Sequence, residues 1–279
     1  MLRIDVVTIF PAMVRAAFSE GIVSRAIGSG LASVAVHDLR DYTDDRHRSV
    51  DDAPFGGGPG MVMKAEPFFR AVEALWPEGR AANDALVLLS PRGRVLTQAV
   101  AADLARRQRL ALLCGRYEGI DERVTLGLDA DEISLGDFVL TGGEVAALAI
   151  VEATVRLLPG ALGDEESARQ DSFSDGLLDH PHFTRPAVIR GLGVPEVLLS
   201  GDHGKVRRWR RREALRITRR RRPDLIAKAS LTSEDQALLR EVEREDGAED
   251  GPSQGAPAAS REAPGRTEGR ETLSNHGPY

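Results

Sequence analysis

The sequence predicts an α/β protein built on a parallel sheet, followed by a small, mainly helical and strongly basic module. Short β-rich apolar runs alternate with segments of helical period through the first 158 residues, an order that argues parallel strands joined by helices. Two of the runs, LVLLS and LALLC, are apolar without alternation, as strands are when helices cover both faces of a sheet. Charge is also segregated: residues 1–175 carry 18 basic and 27 acidic side chains, 176–230 carry 14 and 5, and 231–279 carry 5 and 11.

In chain order, strands are expected over residues 2–9, 33–39, 86–89, 110–114 and 132–135. Helices are expected over 12–27, 67–75, 97–106, 122–128 and 143–158, the last closed by Pro159 and Gly160. Ligands of parallel sheets gather at loops following the carboxyl ends of strands, here 41–63, 90–94, 115–121 and 136–144. Four segments follow from these patterns: a sheet domain over 1–161, a polar linker over 162–176, a basic helical module over 177–246 and a tail over 247–279. The module is expected to hold helices at 194–199, 205–221 (stopped by Pro223) and 233–245, the last with a Ser233–Gln236 capping box. The tail is rich in Gly, Pro, Ala, Glu and Ser and has too few large apolar residues to fold.

At 279 residues and 42% hydrophobic, the chain is long enough for proper cores. Cys114 is the only cysteine, so no disulfide framework exists, and a small buried hydrophobe is a better description of it than a nucleophile. Arg3 and Asp5 sit where a signal peptide would need an apolar core. The apolar stretch 144–158 is interrupted by Glu152 and Arg156 and is too short for a bilayer. A cytoplasmic, soluble protein is expected.

Net charge is −6, yet Lys205–Arg222 packs eleven Lys and Arg into eighteen residues with Glu213 as the only acid. Such a run neutralises phosphates and releases their counterions, so nucleic acid is the expected partner; the bland alternative is a solvated helix face.

Several loops are rich in glycine. PFGGGPGMVMK (54–64) completes neither a P-loop nor GxGxxG, and serves equally as a turn or a binding loop. LCGRYEGIDER (113–123) and SLGDFVLTGGE (134–144) put glycines at strand ends, where free backbone groups can bond a small ligand. Each has a structural alternative: Asp121 and Glu122 can open a helix, and Gly142–Gly143 can let a helix pack closely on the sheet. Three such loops on one sheet favour a nucleotide-like or adenosyl pocket. Further on, Asp171 precedes Ser172 and can be a helix cap. His180 and His182 invite a metal, but no cysteine or third ligand has suitable spacing, so no metal site is assigned.

These strings, in this order, resemble the bacterial tRNA (guanine-N1)-methyltransferase family, TrmD-type members of the SPOUT superfamily. The matching stretches are PFGGGPGMVMK, LSPRGR, CGRYEGIDER, SLGDFVLTGGE, VRLLPG, QDSFSDGLLDHPHFTRP and VLLSGDHGKVRRWRR, with the opening IDVVTIFP. Phe138 and Phe183 stand where tyrosine is common, and the tail after Gly247 lies outside the pattern. The resemblance implies a trefoil knot at the carboxyl end of the sheet domain, S-adenosylmethionine as cofactor, and a homodimer with its active site at the subunit interface. It implies methylation of N1 of the guanine 3′ of the anticodon, position 37 of tRNA. The cofactor would be held by Leu89, Ser90 and Pro91; by Gly115 and Tyr117; and by Ser134, Leu135, Gly136, Asp137, Phe138, Val139, Leu140, Gly142 and Gly143. Asp171 would be the general base and Arg156 its charge-stabilising partner. Glu118, His182, Arg185, Lys205, Arg207, Arg208 and Arg211 would hold tRNA, and Mg²⁺ is attributed to the family. The rival classes are a non-enzymatic RNA-binding or ribosome-assembly factor and a different nucleotide-binding α/β enzyme.

Overall fold

The computed structural model describes residues 1–163 and 170–249. Part of the expected linker, 164–169, and the tail beyond 249 lie outside the described residues. The chain divides into two compact units, Met1–Ser230 and a second from Leu231 onward.

Five parallel strands form the sheet of the first unit: β1 (Leu2–Thr8), β2 (Ala32–Asp38), β5 (Asp84–Val95), β6 (Arg109–Cys114) and β7 (Asp131–Ser134), in the order β2-β1-β6-β5-β7. Two short strands, β3 (Asp51–Asp52) and β4 (Val62–Met63), pair antiparallel beside it. The helices are α1 (Pro11–Ala17), α2 (Gly21–Gly28), α3 (Ala65–Leu75), α4 (Gln98–Ala105), α5 (Glu122–Leu128) and α6 (Glu144–Val155). Strand β6 shows why the apolar runs do not alternate. Leu110, Leu112 and Cys114 belong to one core with Ile150 and Val151 of α6, while Ala111 and Leu113 belong to another with Phe68 and Ala71 of α3. Side chains on opposite faces are all buried because both faces are covered.

Three local expectations are corrected. The helix expected over 12–27 is two helices, broken at Phe18–Glu20 and restarted at Gly21, whose φ of +77° only glycine adopts freely. The loop expected at 90–94 is a bulge within β5: Leu89 and Arg94 both face Ile133 on β7, so residues 90–93 are extruded. Pro91 lacks the N–H a ladder needs, and the Cβ of any other residue at Gly93 would stand 2.4 Å from the Glu132 carbonyl carbon. The capping box of the last helix is Thr232 with Asp235, one residue earlier than expected: Asp235 N–H donates to Thr232 Oγ1 (3.1 Å) and Thr232 N–H to Asp235 Oδ2 (3.0 Å).

Charged side chains also lie beneath the sheet. Asp5 on β1 is fully buried, accepting from Arg109 Nε on β6 (2.7 Å) and facing His37 Nε2 on β2 (2.8 Å). Burial opposes its ionisation, but these bonds and the Arg109 charge hold its carboxyl below the usual carboxylate range.

Past Gly176 the first unit continues through a hairpin, β8 (Val188–Ile189) with β9 (Leu192–Gly193), then α7 (Glu196–Leu199), α8 (His203–Arg221) and α9 (Pro223–Ile226). Asp202 caps α8 by accepting from Gly204 and Lys205 N–H, both at 3.0 Å. Its buried stripe is Glu213, Ala214, Leu215 and Thr218, and the Thr218 hydroxyl accepts from Leu178 N–H (2.9 Å), tying the helix to the segment after Gly176. The second unit contains α10 (Ser233–Glu249), on which Leu238 and Val242 are buried.

Candidate active site

The bulge of β5 and the loops at the carboxyl ends of β6 and β7 converge on an open cleft of about 1360 Å³. Three chain crossings shape it. The bulge of β5 brings Ser90, Pro91 and Arg92 to one side. The loop after β6 (Gly115–Asp121) meets the glycine loop: Met63 N–H donates to Gly119 O (2.9 Å), Glu118 N–H to Met61 O (3.0 Å) and Asp121 N–H to Met63 O (2.9 Å). Between them Glu118 lies so close to Gly60 that a Cβ there would stand 2.3 Å from Glu118 Oε1. The glycine loop is thus one wall of the cleft, with Pro54, Phe55, Met63 and Lys64 lining it.

The third crossing is at Gly142–Gly143. Gly143 N–H donates to Gly115 O (2.8 Å), and a Cβ at Gly143 would stand 2.9 Å from Cys114 Cα. The structural alternative for this glycine pair is therefore realised, since α6 starts hard against β6, and the same two residues also line the cleft. Tyr117 adopts φ +59°, an uncommon conformation for a bulky residue that sites tend to retain.

Of the fourteen residues expected around a cofactor, Leu89, Ser90, Pro91, Gly115, Tyr117, Ser134, Leu135, Phe138, Val139, Leu140, Gly142 and Gly143 line this cleft. Gly136 and Asp137 do not. Gly136, at φ +144°, turns the chain beyond β7, with its N–H donating to Ser134 Oγ (3.1 Å) and its Cβ position closed off by the Phe138 ring.

Beneath the cleft lies a buried polar network that sequence reasoning missed. Glu144, 1% exposed, accepts from Thr8 Oγ1 (2.8 Å) and Arg116 Nε (3.1 Å). Its partners come from residues 136 and 28 positions away, so its only local signal was an acid immediately after two glycines. Cys114 is fully buried, and burial with the Glu144 charge pushes its thiol well up, so it is a packed hydrophobe and no nucleophile.

Arg156 and Asp171 meet. Arg156, at the carboxyl end of α6, donates from Nη2 to Asp171 Oδ2 at 2.5 Å. Neither is among the cleft-lining residues. Asp171 starts no helix: Ser174 N–H returns to its carbonyl in a turn, and Phe173 at φ +72° continues it. The capping alternative for this carboxylate is set aside, because its side chain is spent on Arg156.

Among residues expected to contact tRNA, Glu118 lines the cleft, while His182 and Arg185 border a second cavity of about 370 Å³ with Trp209 and Phe183. Lys205, Arg207, Arg208 and Arg211 lie along α8. The charge run is less bare than its sequence implied. Glu213, buried, accepts from Arg216 (2.7 Å) and Arg212 (3.4 Å); Arg211 is paired with Asp175; Arg222 bonds Asp224 (2.8 Å); and Lys205 pairs with Asp202 (3.3 Å). Arg207 and Arg208 are exposed. Among the described residues no helix is long and apolar enough to cross a membrane.

A family model described as tRNA (Guanine-1)-methyltransferase TrmD matches residues 2–228. Relatives named tRNA (guanine-N(1)-)-methyltransferase include one from Moorella thermoacetica, 54% identical over 246 residues, covering 88% of this chain and 98% of its own. Others come from Geobacter metallireducens (53% over 242 residues, 87% and 98%) and Dictyoglomus turgidum (51% over 245 residues, 88% and 98%). With the model matched across most of its length and relatives covered almost end to end, the chain belongs to the tRNA (guanine-N1)-methyltransferase family.

Proposed function

We propose that this protein transfers a methyl group from S-adenosylmethionine to N1 of the guanine at position 37 of tRNA, with Asp171 as general base and Arg156 as charge stabiliser. The observation that carries the chemistry is the 2.5 Å contact between Arg156 and Asp171. Guanine N1 holds a proton at neutral pH, so methylation there needs an acceptor for that proton and a cation or donor near O6, where negative charge accumulates. A carboxylate and a guanidinium already in contact supply both. Arg156 has five N–H donors and needs only one for Asp171, leaving others for O6.

The cleft fits the cofactor. Glycines at 115, 142 and 143 line a space of ligand size, and a Cβ at 142 or 143 would collide with Arg116, Glu144 or Cys114, so this wall keeps its shape only with glycine there. S-adenosylmethionine supplies a methyl on a sulfonium, an electrophile needing no further activation. The chain's own task is alignment: the cleft walls fix the donor's position, and the Asp171 carboxylate takes the N1 proton as N1 accepts the methyl.

Asp171 and Arg156 are not among the residues that line the cleft of their own chain, which supports a homodimer in which the cleft of one protomer is completed by the pair from the other. Exposed apolar side chains at Met13 on α1 and Val145 on α6 are suited to such an interface. The knot belongs to the same reading. So does a cytoplasmic setting, which fits a tRNA substrate. The exposed arginines of α8 suit the phosphates of an anticodon stem-loop, whose unpaired bases can be presented singly. Mg²⁺ asks for an octahedral oxygen set, and the three-donor group among the described residues, Asp179 with His180 and His182, does not match it; no step is assigned to that ion.

Methyl transfer from labelled S-adenosylmethionine to unmodified tRNA transcripts with guanine or adenine at position 37 tests the proposal. Incorporation should require the guanine. Equilibrium binding of S-adenosylmethionine to the protein alone separates it from an RNA-binding factor, which would take up none.

A further inference from the structure

We propose that Asp179, His180 and His182 form a binding site for a divalent transition-metal cation of the zinc class. The sequence alone assigns no metal to His180 and His182 for want of a third ligand; Asp179, the residue before His180, supplies one, because the fold sets its carboxylate beside both rings. One ligand atom from each of the three residues lies within 4.8 Å of the others.

Hydrogen bonding settles which atoms are available. Nδ1 of His180 stands 3.1 Å from the Pro181 carbonyl, which can only accept, so Nδ1 carries the proton. In the neutral ring Nε2 then presents a lone pair, and it faces Asp179 Oδ1 at 3.8 Å. A carboxylate oxygen and an imidazole nitrogen are both donors that a cation of the zinc class takes. A backbone carbonyl holding the far nitrogen is also the arrangement by which metal-binding histidines are oriented.

Asp179 is held in place before any ion arrives. Its Oδ1 accepts from His180 N–H (2.7 Å), and its own N–H donates to Ser172 Oγ (2.9 Å). His182 completes the set with Nε2 at 2.8 Å from Asp179 Oδ2; its neutral ring ligates through Nε2 as the tautomer that carries its proton on Nδ1. Its side chain is 71% exposed, leaving an entry path.

The spacing suits zinc. Bonds of about 2.0–2.1 Å in a tetrahedron put donor atoms roughly 3.3 Å apart. The three ligand atoms already lie within 4.8 Å of one another, so they close on such an ion by shifts of no more than about 1.5 Å. Two imidazoles select zinc, cobalt or nickel over magnesium or calcium. Both rings border the 370 Å³ cavity, where water can take the fourth position.

The test uses the full-length chain without an affinity tag, stripped with a chelator. Calorimetric titration with zinc chloride should show one equivalent bound, and cobalt(II) should give the intense visible bands of a tetrahedral site. His180→Asn and His182→Asn should each weaken binding by more than about tenfold, while His203→Asn should leave it unchanged, all three melting as wild type. Failure to bind zinc saturably would overturn the proposal. So would binding that survives the double variant His180→Asn/His182→Asn, since the ion would then sit elsewhere.

Discussion

Arg156 and Asp171 touch at 2.5 Å across fifteen residues of chain, one at the end of a helix packed on the sheet and the other in a turn. The contact separates two roles for the carboxylate. As a turn residue, Asp171→Asn would cost little, because Asn holds turns as well as Asp. As the proposed base, the same change should slow methyl transfer by roughly 10²–10⁴-fold, with S-adenosylmethionine and tRNA binding retained. Single-turnover rates measure it, and near wild-type turnover would place the base elsewhere.

Arg156→Ala should be comparably slow, while Arg156→Lys should recover part of the rate, because the ammonium restores the charge without the planar fork. Full recovery by lysine would show that charge alone matters.

Gly143→Ala tests the cleft. The backbone at Gly143 is relaxed, but the added methyl would stand 2.9 Å from Cys114 Cα and 3.1 Å from Gly115 N. Either α6 or β6 must shift, costing about 1–3 kcal/mol. The expected outcome is a lowered melting temperature together with weaker S-adenosylmethionine binding. Unchanged affinity would remove this crossing from the binding site.

Arginines of α8 should divide by environment. Arg207→Gln should lower the salt dependence of tRNA binding by about one unit of log–log slope without altering the melting temperature. Arg216→Gln should do the reverse, because it deprives the buried Glu213 of its 2.7 Å partner. Equal slopes for both variants would mean that α8 does not face phosphate.

Asp5 predicts acid sensitivity. Its carboxyl is held below the ordinary value of about 3.9, so the stabilisation it gives is fully present above that pH and is lost as pH falls through the lowered value of the folded state. Asp5→Asn should cost about 3–5 kcal/mol, because Arg109 keeps a charge beneath the sheet without its partner. The pH dependence of stability should flatten in the variant below about pH 4. An unaltered acid limb would assign the transition to other carboxylates.

Elements with a strong local signature were legible. Residues 122–128 form a helix with the expected bounds, and the runs LVLLS of β5 and LALLC of β6 read as doubly covered strands because they are apolar without alternation. What escaped depends on partners far away in sequence. Nothing near Leu89 announces that Arg94 will return to the same Ile133, since the bulge is decided by β7. Thr232 displaced Ser233 as the cap because Asp235 could answer it. The Thr8–Glu144–Arg116 network joins the end of β1, the start of α6 and the loop after β6, which only the folded sheet brings together. The cleft itself was marked by glycines, whose meaning as wall or as packing aid was settled by what lies against them.

The bond from Asp179 N–H to Ser172 Oγ has a consequence for how the molecule can be divided. Asp171 is braced on one side by Arg156 and, through its neighbour, on the other by the segment leading into the basic helix. By chain position the proposed base belongs with neither the cleft nor α8; it sits at the seam. A fragment ending at Ala161 would keep every cleft wall and lose the base, and a fragment beginning at Leu177 would keep the arginines and lose it too. Mixing the two would not restore the proposed base, so with Asp171 in that role methyl transfer is expected only of the uncut chain.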